Sequence, residues 1–118
     1  MLIKALKGKI HRATITEAHV DYPGSIGIDS ALLEAANILP YEAVLVVDVS
    51  NGSRVETYVV PEQAGSGKII ILGAAARLMN PKDIVIIMNF AFYSPEEMKN
   101  FKPKIIVPDA DNKIDRIL

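Results

Sequence analysis

The sequence contains no cysteine and no tryptophan, and it has two histidines, three phenylalanines and four tyrosines. Disulfide bridges and thiolate metal sites are therefore excluded, and a cytoplasmic location is the default expectation. His11 and His19 alone do not make a histidine-based zinc site, so no metal is expected. No apolar run reaches the roughly 18 residues that a bilayer span needs, so no membrane is expected. The opening Met1-Leu2-Ile3-Lys4-Ala5-Leu6-Lys7 carries lysines but lacks the apolar stretch and cleavage site of a signal peptide. Charge of one sign is missing too. Thirteen Lys and Arg stand against fourteen Asp and Glu, and no basic field invites nucleic acid.

What is present fits an ordinary globular chain. With 118 residues, half of them hydrophobic and 23% charged, residues 1–118 are expected to form one domain with a modest core. A strand is expected from about Ile3 to Thr16, bent or bulged at Gly8. Period-2 alternation within it would put Lys9, His11 and Ala13 on one face. The next punctuation is Tyr22-Pro23-Gly24-Ser25. Pro23 pre-sets its own φ, Gly24 can take the positive φ of a type II turn, and Tyr22 is pushed toward extended geometry at a strand end. This bend would present Ser25 beside an unshielded glycine carbonyl, as a turn residue or as a nucleophile.

Beyond the bend, Asp29 or Ser30 caps a helix whose Leu32, Leu33, Ala36 and Leu39 recur at helical spacing. Ala43–Val49 and Arg54–Val60 flank Ser50-Asn51-Gly52-Ser53, a strong hairpin signal. On the second strand Arg54, Glu56 and Tyr58 share one face and Thr57 lies on the other, a solvated edge or the lining of an anion pocket. Lys68–Leu72 reads as a strand running through Gly73 into a small-residue helix start. Ile84–Phe92 reads as a central strand buried on both faces. Ser94-Pro95 starts a short helix to about Asn100, and two short strands finish the chain. Short strands with a few short helices and no βα repeat predict a small, mainly β barrel.

Four segments in order, Lys9-Ile10-His11-Arg12-Ala13-Thr14, Tyr22-x-Gly24-Ser25, Asp48-x-x-Asn51-Gly52-x-Arg54-x-x-Thr57-Tyr58 and Gly73-Ala74-Ala75-Ala76, resemble the pyruvoyl-dependent aspartate 1-decarboxylase family. The resemblance spans essentially the whole chain. It implies a double-psi β-barrel with a few short helices, assembled as a homotetramer with active sites between subunits. It also implies self-processing between Gly24 and Ser25 into residues 1–24 and 25–118, leaving a covalent pyruvoyl group at position 25 in place of pyridoxal phosphate. L-aspartate would bind through a Schiff base and leave as β-alanine and carbon dioxide, for pantothenate biosynthesis.

The roles that follow from this resemblance fall on particular positions. Ser25 is the pyruvoyl precursor, and Tyr58 resembles the family's proton donor. Arg54, Lys9, Thr57 and the backbone of Gly73, Ala74 and Ala75 would bind substrate. Gly24, Tyr22, Thr57 and His11 would serve processing, Thr57 by hydrogen-bonding the developing oxyanion. Because Thr57 and Tyr58 face opposite ways, a site using both draws on both faces of the strand. One departure stands out: the family usually carries Asn immediately before Gly-Ala-Ala-Ala, and here Leu72 cannot hydrogen-bond. Two other readings remain open, a non-catalytic barrel for binding or assembly and a pyruvoyl decarboxylase of another amino acid. The sequence leaves open whether a maturation partner is needed.

Overall fold

The computed structural model describes residues 1–118. Nine strands form one sheet: β1 Ile3–Thr14, β2 Glu17–His19, β3 Ser25–Asp29, β4 Ala43–Asp48, β5 Arg54–Glu62, β6 Ile69–Leu72, β7 Ile84–Tyr93, β8 Lys104–Pro108 and β9 Ile114–Ile117. Two helices, α1 Ser30–Ala36 and α2 Pro95–Met98, and a 3-10 helix, Gly73–Arg77, interrupt them. The strand order is β2-β6-β3-β5-β4-β7-β1-β8-β9. Parallel pairs (β1 with β8, β2 with β6, β3 with β5) are mixed with antiparallel ones, and the fold is the mainly β, double-psi barrel type. No helix is long and apolar enough to cross a membrane.

The core follows from strand alternation. Ile10, Ile26, Ile28, Val44, Val46, Val59, Ile69, Ile71, Val85, Ile87 and Ile106 point into one cluster, closed by Leu32, Leu33 and Ala36 of α1. Burying each of the Val, Leu and Ile side chains stabilises the fold by about 1.5–3 kcal/mol. The caps are those the sequence suggests. The Asp29 carboxylate accepts from Ala31 N at 2.8 Å, and Asn37 ends α1 in the left-handed region. Ser94 and Glu97 form a reciprocal capping box around α2, which stops at Met98 rather than near Asn100. Asp29 also accepts from Gly65 N at 3.0 Å and Gly67 N at 2.8 Å. Burial alone would raise its pKa, but these three N–H donors and Lys113 outweigh that and hold the carboxyl below its ordinary value.

Three expectations are corrected. The strand β1 carries two bulges, since Leu6 and Gly8 face consecutive residues of β7, and so do His11 and Ala13. The second bulge lies at Arg12, whose φ is 72°. It resets the alternation, so Ala13 turns into the core with Ile10 instead of sharing a face with Lys9 and His11. The strand β7 is central, but only Val85, Ile87 and Asn89 are buried, while Ile84, Ile86, Met88 and Phe90 stay half-exposed on its outer side. Finally, the bend before β3 is not built on a left-handed glycine at 24. The left-handed glycines are Gly52, Gly65, Gly67 and Gly73.

Candidate active site

Backbone passes from solvent to core between Gly24 and Ser25. Tyr22, Pro23 and Gly24 are exposed, whereas Ser25 opens β3 and is only 4% exposed. The expected accessible serine is thus a buried one, because β3 enters the barrel between β5 and β6. Tyr22 does not end a strand either: β2 stops at His19, and Tyr22 sits in the bend with its ring 5.5 Å from that of His19. The Ser25 hydroxyl donates to the Pro23 carbonyl at 3.3 Å, one residue short of the Gly24 carbonyl.

The floor of this bend comes from the end of β6. Ser25 pairs directly with Leu72 in the antiparallel β3/β6 register. The next residue, Gly73, has φ 85°, and a Cβ there would lie 2.6 Å from Gly24 Cα, 2.9 Å from Gly24 N and 3.1 Å from Tyr22 O. Only glycine satisfies both the left-handed conformation and this close approach. Ala74 and Ala75 follow in the 3-10 helix, Ala74 exposed and Ala75 half-buried against the core. The structure therefore brings Tyr22, Gly24, Ser25, Leu72 and Gly73 together through backbone contacts.

The other wall is β5. Ile26 of β3 pairs in parallel with Val59, which sets the Ser25 and Tyr58 positions beside each other at the preceding step. Tyr58 is 39% exposed and stacks on Tyr41 with ring centroids 6.4 Å apart. Thr57 is half-buried on the opposite face, paired with Val44. Arg54 is exposed, four residues back along β5 and about 13 Å from Tyr58 at strand rise.

Lys9 and His11 lie elsewhere. Arg54, Val47, Ile86 and His11 form one row across β5, β4, β7 and β1, and Glu56, Leu45, Met88 and Lys9 form the next. Three strand spacings, about 14 Å, thus separate the Arg54 strand from β1. Lys9 and His11 are half-buried. Burial, then Lys9, Arg12 and Arg116, lower the His11 pKa, so its ring favours the neutral form, with Nδ1 buried and without a hydrogen-bond partner. The single chain gathers Ser25 with Tyr58 and the Gly73 backbone, and leaves Lys9 and His11 apart from them. Its cavities also lie away from Ser25. One of about 320 Å³ is lined by Thr14, Thr16, Ser66, Asn112 and neighbours. A second of about 150 Å³ lies between Lys4, Leu45, Glu56 and Phe90.

Leu72 opposite Ser25, Gly73 against Gly24 and Tyr41 on Tyr58 are contacts that sequence reasoning did not reach. The one local signal was the glycine between the apolar run Ile69-Ile70-Ile71-Leu72 and the small residues that follow. No cluster of three or more His, Cys, Asp or Glu side chains is placed to hold a metal ion.

These features define a small double-psi barrel protein whose glycine–serine bond is clasped by backbone from a neighbouring strand. The chain belongs to the aspartate decarboxylase family, whose profile matches residues 1–115. It is 53% identical over 114 residues to an aspartate 1-decarboxylase of Acetivibrio thermocellus, covering 97% of this chain and 90% of that protein. An aspartate 1-decarboxylase of Porphyromonas gingivalis is 54% identical over 115 residues, covering 97% and 98% of the two chains. One of Listeria monocytogenes is 52% identical over 113 residues, covering 96% and 89%.

Proposed function

We propose that this chain cleaves itself between Gly24 and Ser25 and then decarboxylates L-aspartate to β-alanine, supplying pantothenate biosynthesis in the cytoplasm. The observation that carries the reading is the contact of Gly73 with Gly24. It clamps one side of the scissile bond while Ser25 is buried on the other. Ordered backbone is what an intramolecular acyl shift needs, because the hydroxyl has only to turn from the Pro23 carbonyl to the Gly24 carbonyl.

The step balances. Ser25 Oγ adds to the Gly24 carbonyl carbon, the C–N bond breaks, and the amine takes the hydroxyl proton as an ester forms. Loss of the Ser25 Cα proton expels the Gly24 carboxylate. Water then replaces the nitrogen, which leaves as ammonia, and a ketone remains at position 25. Thr57 supplies a hydroxyl to the developing oxyanion. A side chain at 73 would collide with Gly24, so glycine there lets β6 close on this bond, and the residues present fit a pyruvoyl group.

Once formed, that group supplies an electrophilic carbonyl for the substrate amine and an electron sink for the departing carboxylate. The chain's side chains do the rest. The Arg54 guanidinium holds a substrate carboxylate in a two-point fork, and Lys9 adds a second positive charge. The backbone of Gly73, Ala74 and Ala75 orients the substrate. Tyr58, on the strand next to Ser25, returns a proton to the carbon that has lost carbon dioxide. Neutral His11 orders the site or assists processing without competing for the carboxylates. Since Lys9 and His11 lie about three strand spacings from β5 within one chain, a second copy completes the site, in keeping with a homotetramer. The half-exposed apolar row Ile86, Met88 and Phe90 gives that copy a surface to cover.

Intact-mass analysis tests the reading. Purified protein should convert to fragments 1–24 and 25–118, the larger without a free amine, and should then release carbon dioxide from aspartate in preference to glutamate. Ser25→Ala should remain one chain and produce no β-alanine. Cleavage in that variant, or a wild-type chain that stays whole after prolonged incubation, would defeat it.

A further inference from the structure

The turn between α1 and β4 carries an aromatic ring that the core does not use. Leu39-Pro40-Tyr41-Glu42 is closed by Glu42 N donating to Leu39 O at 3.1 Å, with Pro40 second and Tyr41 third in the turn. Tyr41 has φ 67°, in the left-handed region that suits glycine or asparagine at that place. A bulky residue held there is strained, and such strain persists only where the surroundings over-determine it. Burial does not offset the strain, since Tyr41 is 73% exposed. Its ring lies instead against that of Tyr58, with centroids 6.4 Å apart and planes 29° from parallel.

Polar contacts from three elements hold the turn in this form. Tyr41 N donates to Val59 O at 2.7 Å and Val59 N donates to Glu42 O at 3.1 Å, which fastens the turn to β5 at the residue after Tyr58. The half-buried Glu42 carboxylate accepts from Leu39 N at 2.9 Å, from Asn89 Nδ2 at 2.8 Å and from Lys7 Nζ at 3.4 Å. Asn89, in β7, is completely buried, and its Nδ2 also reaches Asn37 O, just past the end of α1, at 3.4 Å. Gly8 of β1 admits this amide, because a Cβ there would lie 2.8 Å from Asn89 Oδ1. The strands β1 and β7 and the end of α1 thus converge on the residue next to Tyr41.

We propose that Tyr41 is a positioning residue for Tyr58. The proposal deepens the aspartate site described above and rests on it, since Tyr58 there returns a proton after carbon dioxide has left. Tyr58 stands on the outer side of β5, beside Ser25, and is 39% exposed, so little else confines its ring. A ring laid against it in offset-stacked geometry narrows the arc through which the phenol swings. A general acid acts only within hydrogen-bond reach of the atom that takes its proton, so a wider arc slows proton return. Substrate binding and carbon dioxide release come earlier and do not depend on that arc.

Tyr41→Gly separates this role from a structural one. Glycine takes φ 67° without strain, so the variant should keep native circular dichroism and should still mature into residues 1–24 and 25–118. With aspartate, kcat should fall about tenfold while kcat/KM stays within about twofold, because slowing a step after irreversible carbon dioxide loss lowers KM in the same proportion. Tyr41→Phe keeps the ring and should restore both constants. Tyrosine-ring NMR adds a readout apart from turnover: the Tyr58 ring signals should move in Tyr41→Gly and stay close to wild type in Tyr41→Phe. Unmoved Tyr58 signals in Tyr41→Gly would overturn the ring contact. With Tyr58→Phe inactive, a wild-type kcat in Tyr41→Gly, or a loss carried by kcat/KM, would overturn the positioning role. Wild-type turnover in Tyr58→Phe would instead overturn the proton-donor reading on which that role depends.

Discussion

The bend at Gly24 and Ser25 and the outer face of β5, β4, β7 and β1 are built in opposite ways. At the bend, contacts run from backbone to backbone between adjacent strands. Ser25 pairs with Leu72, and Gly73 presses on Gly24. On the outer face, Arg54, His11 and Lys9 are side chains dispersed over strands that are not neighbours. Backbone geometry is complete as soon as one chain folds, so the bend is assembled within the subunit. Recognition of a small dianion needs converging charges, which this chain does not bring together alone. The contrast predicts that maturation and catalysis respond to different substitutions.

Gly73→Ala attacks the bend and carries the largest effect. An added Cβ meets Gly24 Cα at 2.6 Å and the alanine is held in a left-handed conformation, so the Gly24 backbone must shift. A displacement on the order of 1 Å between reacting groups lowers rates by about 10²-fold. Cleavage followed by mass spectrometry should slow by that factor in a variant whose circular dichroism remains native. Wild-type cleavage kinetics would break the comparison at its stronger half.

Arg54→Gln probes the other half. A charged hydrogen bond to a carboxylate contributes about 2 kcal/mol, so KM for aspartate should rise roughly 30-fold. Cleavage into fragments 1–24 and 25–118 should proceed at the wild-type rate, because Arg54 lies about 13 Å along β5 from the position beside Ser25. If Arg54→Gln blocks maturation as well, the two regions are not independent.

Much of this was readable locally. Asn51-Gly52 between β-branched runs located the hairpin, Asp29 and Ser94 announced their helices, and Gly8 marked a bulge. Such signals depend on a few neighbouring residues. Others depended on partners distant in sequence. Arg12 has no intrinsic reason to be left-handed, and the bulge there follows from aligning β1 with β7. The same applies to the burial of Ser25, which reflects β3 entering between β5 and β6 rather than anything in Tyr22-Pro23-Gly24. The bend is legible, but the positive φ expected at Gly24 lies instead at Gly73, across the sheet.

Leu72 sharpens the comparison with the smallest change. It stands directly opposite Ser25, half-buried, where the family pattern has an amide. If the bend works through backbone geometry, a polar side chain there adjusts the rate without deciding whether cleavage occurs. One neutral hydrogen bond contributes about 0.5–1.5 kcal/mol, so Leu72→Asn should speed cleavage by no more than about tenfold. Its effect on KM should be smaller than that of Arg54→Gln, since the added amide lies beside the bond rather than among the charged groups. Parallel mass-spectrometric time courses of the two chains would measure it. An acceleration far beyond tenfold would mean that the side chain at 72, and not the Gly73 clasp, controls the Gly24 carbonyl.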